Sequence, residues 1–215
     1  MTGDDAPGEA WGFDPADFDD PSEDARLTRL RDAVASRAEA SGDLDVAFRL
    51  LDSPVGPLLV AVTGAGLCRV AFEVEGHDAV VEELARRIGS RVLRAPGRLD
   101  PVARELEGYF AGTARVFDTP VDLRLASGFR RTVLQRLALV PYGERIGYAG
   151  LAAAVGNPGA SRAVGTACAT NPVPLVVPCH RVVRGDGTYG AYRGGSRVKR
   201  FLLEFEAAHR AEPSG

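Results

Sequence analysis

The sequence predicts an α+β protein in two parts: a small N-terminal α/β scaffold domain over residues 44–127 and a helix-turn-helix domain over residues 128–208. Three observations predict it. Three apolar runs, VAFRLL, PLLVAV and LCRVAFE, have strand character and are separated by the turn signals Ser53-Pro54 and Gly64-Ala65-Gly66. Further on, two short helical stretches flank the turn Gly156-Asn157-Pro158-Gly159. The charge also changes sign along the chain. Residues 1–25 carry nine acids and no Lys or Arg, whereas residues 128–200 carry eleven Lys/Arg and only Glu144 and Asp186 as acids.

Taken in order, residues 1–43 read as an acidic extension, partly disordered, with one helix. Three prolines and no periodicity in residues 1–21 argue against a packed element, although Trp11, Phe13 and Phe18 are available to dock. The helix is expected at about residues 22–40. Ser22 can cap it, Glu23 and Asp24 suit its positive end, and Leu27, Leu30 and Val34 give it an apolar stripe. In the scaffold domain the strands are followed by helical stretches at residues 79–88 and 101–110. Nothing there has the spacing of a catalytic site. Residues 128–140 are amphipathic, with Phe129, Val133, Leu134 and Leu137 at helical spacing. The helix-turn-helix follows as residues 148–155 and 160–170, the second rich in small residues (Ala160, Ser161, Ala163, Gly165) with Arg162 at its start. Residues 209–215 are a tail.

Bulk properties narrow the function. Of 215 residues, 45% are hydrophobic and 26% charged, the balance of a soluble globular protein. No run approaches the ~20 apolar residues of a membrane helix. The acidic start lacks the basic and apolar regions of a secretory signal, so the reading is cytoplasmic. Cys68, Cys168 and Cys179 are too few and too odd in number for a disulfide framework. Without a CxxC pair, and with His77, His180 and His209 scattered, no zinc site is expected. The basic C-terminal part points to an anionic partner, with a solvated basic face as the plain alternative.

The chemistry concentrates in residues 171–183, NPVPLVVPCHRVV. By default Leu175-Val176-Val177 is a core strand and a Cys-His pair is structural. A cysteine attacks only as thiolate, so a reactive Cys179 needs a base or positive surroundings, and His180 and Arg181 follow it. If the segment is a strand, neighbouring side chains face opposite ways, and a water bridge is then the alternative to direct contact.

The wider pattern resembles the O6-alkylguanine-DNA alkyltransferases, also called methylated-DNA–protein-cysteine methyltransferases. PYGE (141–144), residues 148–151, GNP (156–158), SRAVG (161–165), NPVP (171–174), PCHRV (178–182) and YRGG (192–195) occur in the family's order and spacing, followed by Lys199, Leu202-Leu203 and Glu206. Residues 44–127 match only loosely, and residues 1–43 lie outside the shared part. The resemblance implies a ribonuclease H-like N-terminal domain and a winged-helix-like DNA-binding domain. It implies single-turnover repair, in which the alkyl group of O6-alkylguanine, and of O4-alkylthymine, moves irreversibly to Cys179. His180 would deprotonate the thiol through a water and Glu206 would orient His180. Asn171 would brace the turn around Cys179, and Tyr148 would protonate guanine N3. Arg162, with Ala160, Ser161 and Tyr148, would hold double-stranded DNA from the minor groove while Arg162 fills the space of the flipped nucleotide. Pro174, Val182, Tyr192, Arg193 and Gly194 would line the pocket. Some members have serine, whose hydroxyl can meet guanine O6, in place of Arg193, and with arginine here the contact falls either to its side chain or to its backbone NH. No cofactor and no metal are implied, because the alkyl group arrives on the DNA, and a monomer is expected.

Three other functions fit parts of the sequence. A damage binder would flip the base without transfer, but such relatives replace the acceptor cysteine. A Cys-His hydrolase would turn over small esters without DNA. A redox sensor would need a resolving cysteine beside Cys179. The acidic extension could also fold over the basic face and compete with DNA.

Overall fold

The computed structural model describes residues 44–210 and, before them, Ala25, Arg26, Arg29, Leu30, Ala33 and Arg37, which are helical. The rest of the helix expected at residues 22–40, the acidic stretch before it with its three aromatic residues, and residues 211–215 lie outside the described residues.

The sheet domain has the strands β1 (Val46–Leu51), β2 (Leu58–Thr63), β3 (Gly66–Phe72) and β4 (Val92–Arg94) in the order β3-β2-β1-β4. The first three form an antiparallel meander and β4 joins β1 in parallel. The sequence reading missed β4, whose three residues are too few to show a period. Every residue of β2 is buried. Leu58, Val60 and Val62 face one core, and Leu59 and Ala61 face another, which explains why the strand reads as an unbroken apolar run. Between Ala61 and Val62 the register jumps from Arg69 to Leu67, so Cys68 is an extra residue in β3. Helix α1 (His77–Arg87) covers one face with Val80 and Leu84. Helix α2 (Asp100–Phe110) covers the other with Val102, Leu106 and Tyr109.

The second half is helical: α3 (Gly128–Leu137), α4 (Tyr148–Ala154), α5 (Ser161–Ala169) and α6 (Gly195–Ala208). Helices α4 and α5 with the turn between them are the helix-turn-helix. Two short strands, β5 (Ile146–Gly147) and β6 (Val182–Val183), pair in parallel. The segment before β6 differs from the default strand: Cys179–Arg181 is a 3-10 turn, and Leu175 has φ +73°, a left-handed conformation in which a strand cannot continue. Asn171 and the flanking prolines 172, 174 and 178 are the physical reason, since each proline fixes φ and removes a ladder donor.

One core cluster runs through both halves, from Val60 and Phe72 on the sheet through Tyr109 to Leu134, Leu151, Val164, Cys179 and Leu202. The fold class is the α+β arrangement that the sequence predicts. No helix among the described residues is long and apolar enough to cross a membrane.

Candidate active site

The β5–β6 pairing assembles the site. It aligns Ile146 with Val182 and Gly147 with Val183, which fixes the strand leading into Tyr148, the first residue of α4, against the strand leaving the turn of Cys179 and His180, and the Tyr148 phenol is close enough to Cys179 to feel its charge. Cys179 is buried. Asn171, at the end of α5, shapes that turn. Its Oδ1 accepts from Val173 N at 3.0 Å, and its Nδ2 donates to Val177 O at 2.7 Å and to Cys179 Sγ at 3.2 Å. One amide thus closes the turn and places a donor on the sulfur, which favours the thiolate.

His180 and Glu206 are both buried and meet at 2.7 Å between Nε2 and Oε1. A carboxylate only accepts, so His180 donates from Nε2 and its Nδ1 carries the free lone pair. That Nδ1 is buried and makes no hydrogen bond among the described residues. Glu206 collects four further donors: Tyr109 Oη at 2.8 Å and Arg181 Nη2 at 2.9 Å on Oε1, Arg181 Nε at 2.9 Å and Gly143 N at 3.1 Å on Oε2. Burial alone would raise its pKa, but the bonds from His180 and Arg181 outweigh burial and hold it well below the carboxylate range. Glu206 is therefore ionised. For His180 burial wins over the raising effect of Glu206, and the imidazole is held neutral, its pKa below the ordinary value.

Burial also dominates at Cys179. It pushes the thiol up to about 11, against the lowering effects of Asn171 and Lys199. The resting thiol is therefore protonated at neutral pH. A resting thiol beside a neutral imidazole that is backed by a carboxylate can lose its proton when an electrophile arrives, without an exposed thiolate beforehand. Lys199 is buried and donates from Nζ to Val182 O at 2.6 Å, which fixes the strand after the turn. Cys68 and Cys168, also buried, are both pushed up to about 12 by burial.

Tyr148 packs its ring toward Gly165 on α5, and a Cβ on Gly190 would collide with its hydroxyl. Glycine at residue 190 is what lets the loop close over that phenol. Tyr192 is buried edge-on to His180, with ring centroids 6.3 Å apart. Pro174 and Val182 are buried around the same turn. Arg193 is turned away: its Nε pairs with Glu75 at 2.7 Å and its Nη1 donates to Asn171 O at 3.3 Å. On α5, Arg162 is exposed on the far side of the helix from buried Val164, Ala167 and Cys168, and Ser161 and the N-cap residue Ala160 are half-buried. The structure thus gathers Cys179, His180, Asn171, Glu206, Tyr148 and Tyr192 at one place and leaves Arg162 on the surface. Two clefts on the sheet domain, about 420 and about 400 Å³, include none of these residues.

Sequence reasoning missed Tyr109 and Arg181 as partners of Glu206, and Glu75 as the partner of Arg193. A signal for the first pair was present in α6. Lys199, Leu202, Leu203 and Glu206 recur at i, i+3, i+4 and i+7, and a buried stripe with two ionisable residues requires partners from elsewhere.

Two family models match the chain: "6-O-methylguanine DNA methyltransferase, ribonuclease-like domain" over residues 46–123 and "6-O-methylguanine DNA methyltransferase, DNA binding domain" over residues 128–208. The chain belongs to this methyltransferase family. It is 37% identical over 159 residues to the methylated-DNA–protein-cysteine methyltransferase of Mycobacterium bovis, covering 74% of this chain and 91% of the relative. The crystal structure of the O6-methylguanine methyltransferase of Mycobacterium tuberculosis superposes with a TM-score of 0.69 at 35% identity, covering 79% of this chain and 96% of that one. The same organism's enzyme in complex with DNA gives 0.66 at 37% identity, covering 76% and 94%.

Proposed function

We propose that this member of the family repairs DNA by moving the alkyl group of O6-alkylguanine, and by the same chemistry of O4-alkylthymine, onto Cys179. The observation that carries the reading is a braced, buried thiol beside a neutral histidine whose far nitrogen is locked to an ionised carboxylate. A water between Cys179 Sγ and His180 Nδ1 relays the thiol proton to the imidazole, and Glu206 stabilises the imidazolium that forms. Sulfur then attacks the alkyl carbon as the carbon–O6 bond breaks. The electron pair passes into the guanine ring, and Tyr148 protonates N3 so that guanine leaves neutral. The imidazolium returns its proton to the phenolate, so the net effect moves the thiol proton to guanine and the alkyl group to sulfur. The thioether has no second nucleophile to remove it, so each molecule reacts once.

The substrate carbon is shielded by stacking, so the nucleotide must leave the helix, at a cost of a few kcal/mol. Arg162 enters the duplex from the minor groove and occupies the vacated space. Ala160 and Ser161 let the backbone of α5 approach closely. Tyr192, Arg193 and Gly194, with Pro174 and Val182, line the base pocket, Arg193 by its backbone because its side chain is engaged elsewhere. The protein acts as a monomer in the cytoplasm, without a cofactor.

Intact and peptide mass spectrometry after mixing with duplex DNA containing one O6-methylguanine tests this. The expected result is one added methyl group on Cys179, absent in Cys179→Ala. Binding without a mass change favours the damage-binder reading instead, and no binding removes both.

A further inference from the structure

The corner of the sheet domain just after β3 reaches into both walls of this site. Glu75 closes a 3-10 turn there: its Oε1 accepts from Phe72 N at 3.0 Å, and its Oε2 meets Arg69 Nη2 at 2.6 Å and Arg193 Nε at 2.7 Å. One carboxylate thus holds two guanidinium groups. Arg69 is 1% exposed, which makes Glu75 the counter-charge to a buried cation. From this corner bonds run to the Asn171-Pro172 turn: Arg69 Nη1 donates to Pro172 O at 3.4 Å, Val70 N donates to the same oxygen at 2.9 Å, and Arg193 Nη1 donates to Asn171 O. Phe72 completes the contact. Its ring lies edge-on to Tyr192 at 5.5 Å, and a Cβ on Gly194 would come within 3.0 Å of it, so the glycine lets residues 192–194 lie flat against the ring.

We propose that Glu75 is a positioning residue for alkyl transfer: through Arg193 and Arg69 it ties the 192–194 wall to the turn that carries Asn171, and so sets the width of the pocket and the alkyl size it favours. The inference rests on the transfer reading above. Arginine suits residue 193 because its planar fork engages Glu75 and a backbone carbonyl at once, which a lysine ammonium on a flexible stem does not reproduce. Without the Glu75 charge the two guanidinium groups repel each other with only the more distant Glu83 carboxylate to offset them. Arg193 is the more exposed of the two, with a side chain 26% exposed, so it swings to solvent and releases the wall. Displacement of a reacting group by about 1 Å can cost 10²-fold in rate.

Single-turnover rates on duplexes holding O6-methylguanine or O6-benzylguanine test this in the full chain, with Glu75→Gln, Arg193→Gln and the double variant. The expected result is a methyl-transfer rate lower by roughly 10- to 100-fold in each single variant, with a smaller loss for the benzyl adduct, so that the benzyl-to-methyl ratio rises. The double variant should be no slower than the worse single variant, because both break the same tie. Affinity for undamaged duplex should stay the same. Should Glu75→Gln fail to fold because Arg69 loses its counter-charge, Arg193→Gln still decides, since it leaves the Arg69–Glu75 pair intact. An unchanged ratio, or losses that simply add, overturns the inference while the parent protein's own transfer stands. A parent that does not transfer overturns the transfer reading and the inference with it.

Discussion

Replacing Glu206 by glutamine separates the charge of that residue from its shape. The carboxylate receives three donors on Oε1 and two on Oε2. An amide can keep its oxygen toward His180, Tyr109 and Arg181 Nη2, but its NH₂ then faces Gly143 N and Arg181 Nε, two donors that lose their acceptor. Arg181 is 6% exposed and also loses its counter-charge. Breaking a buried pair in this way costs about 3–5 kcal/mol. At about 2–4 °C per kcal/mol for a chain of this size, Tm should fall by roughly 6–20 °C. The imidazolium also loses the carboxylate that stabilises it, so transfer should slow by about 10²-fold at the least, equivalent to about 2.7 kcal/mol. Circular-dichroism melting gives the first quantity. Quenched single-turnover transfer to an O6-methylguanine duplex, at a temperature where the variant is still folded, gives the second. A folded variant that transfers within threefold of the parent would refute the relay.

Arg162→Ala should slow repair of a duplex by about 10-fold or more, since the extruded nucleotide can fall back, yet leave reaction with free O6-benzylguanine base unchanged; equal losses on both substrates would remove the wedge role. Gly190→Ala drives a methyl group into the Tyr148 hydroxyl. It should cut transfer by about 10-fold with little loss of Tm, as read by the same rate and melting measurements. Stability should be lost at both ends of the pH range. Neutral His180 has a lowered pKa, so the unfolded chain gains a proton first and stability declines as pH falls below about 6.5. Depressed Glu206 adds a further loss below about 4.5 as it is protonated. The raised cysteines act oppositely: the unfolded chain ionises first, and stability declines from about pH 9 upward. Urea melts from pH 4 to 10 check this, and a flat profile below pH 6.5 would contradict a buried neutral His180.

Much of the fold could be read from the chain because β1 to β3 and the longer helices carry complete periods and turn signals. The three residues of β4 do not, and they pair with β1 across more than forty positions. The segment before Cys179 reads as a strand by its valines, but proline and a left-handed Leu175 decide its shape. Cys179, His180 and Asn171 stand close together in sequence, so a motif could carry them. Tyr109 and Glu75 belong to the other half and reach the site only through tertiary packing, with no local pattern to announce them.

The core cluster that passes from Val60 through Tyr109 to Leu202 makes the two halves one cooperative unit. Cutting the chain near residue 127 would bare apolar side chains on both fragments rather than release two folded pieces. Heating should therefore give a single transition, and unfolding the sheet would take the surroundings of the thiol with it.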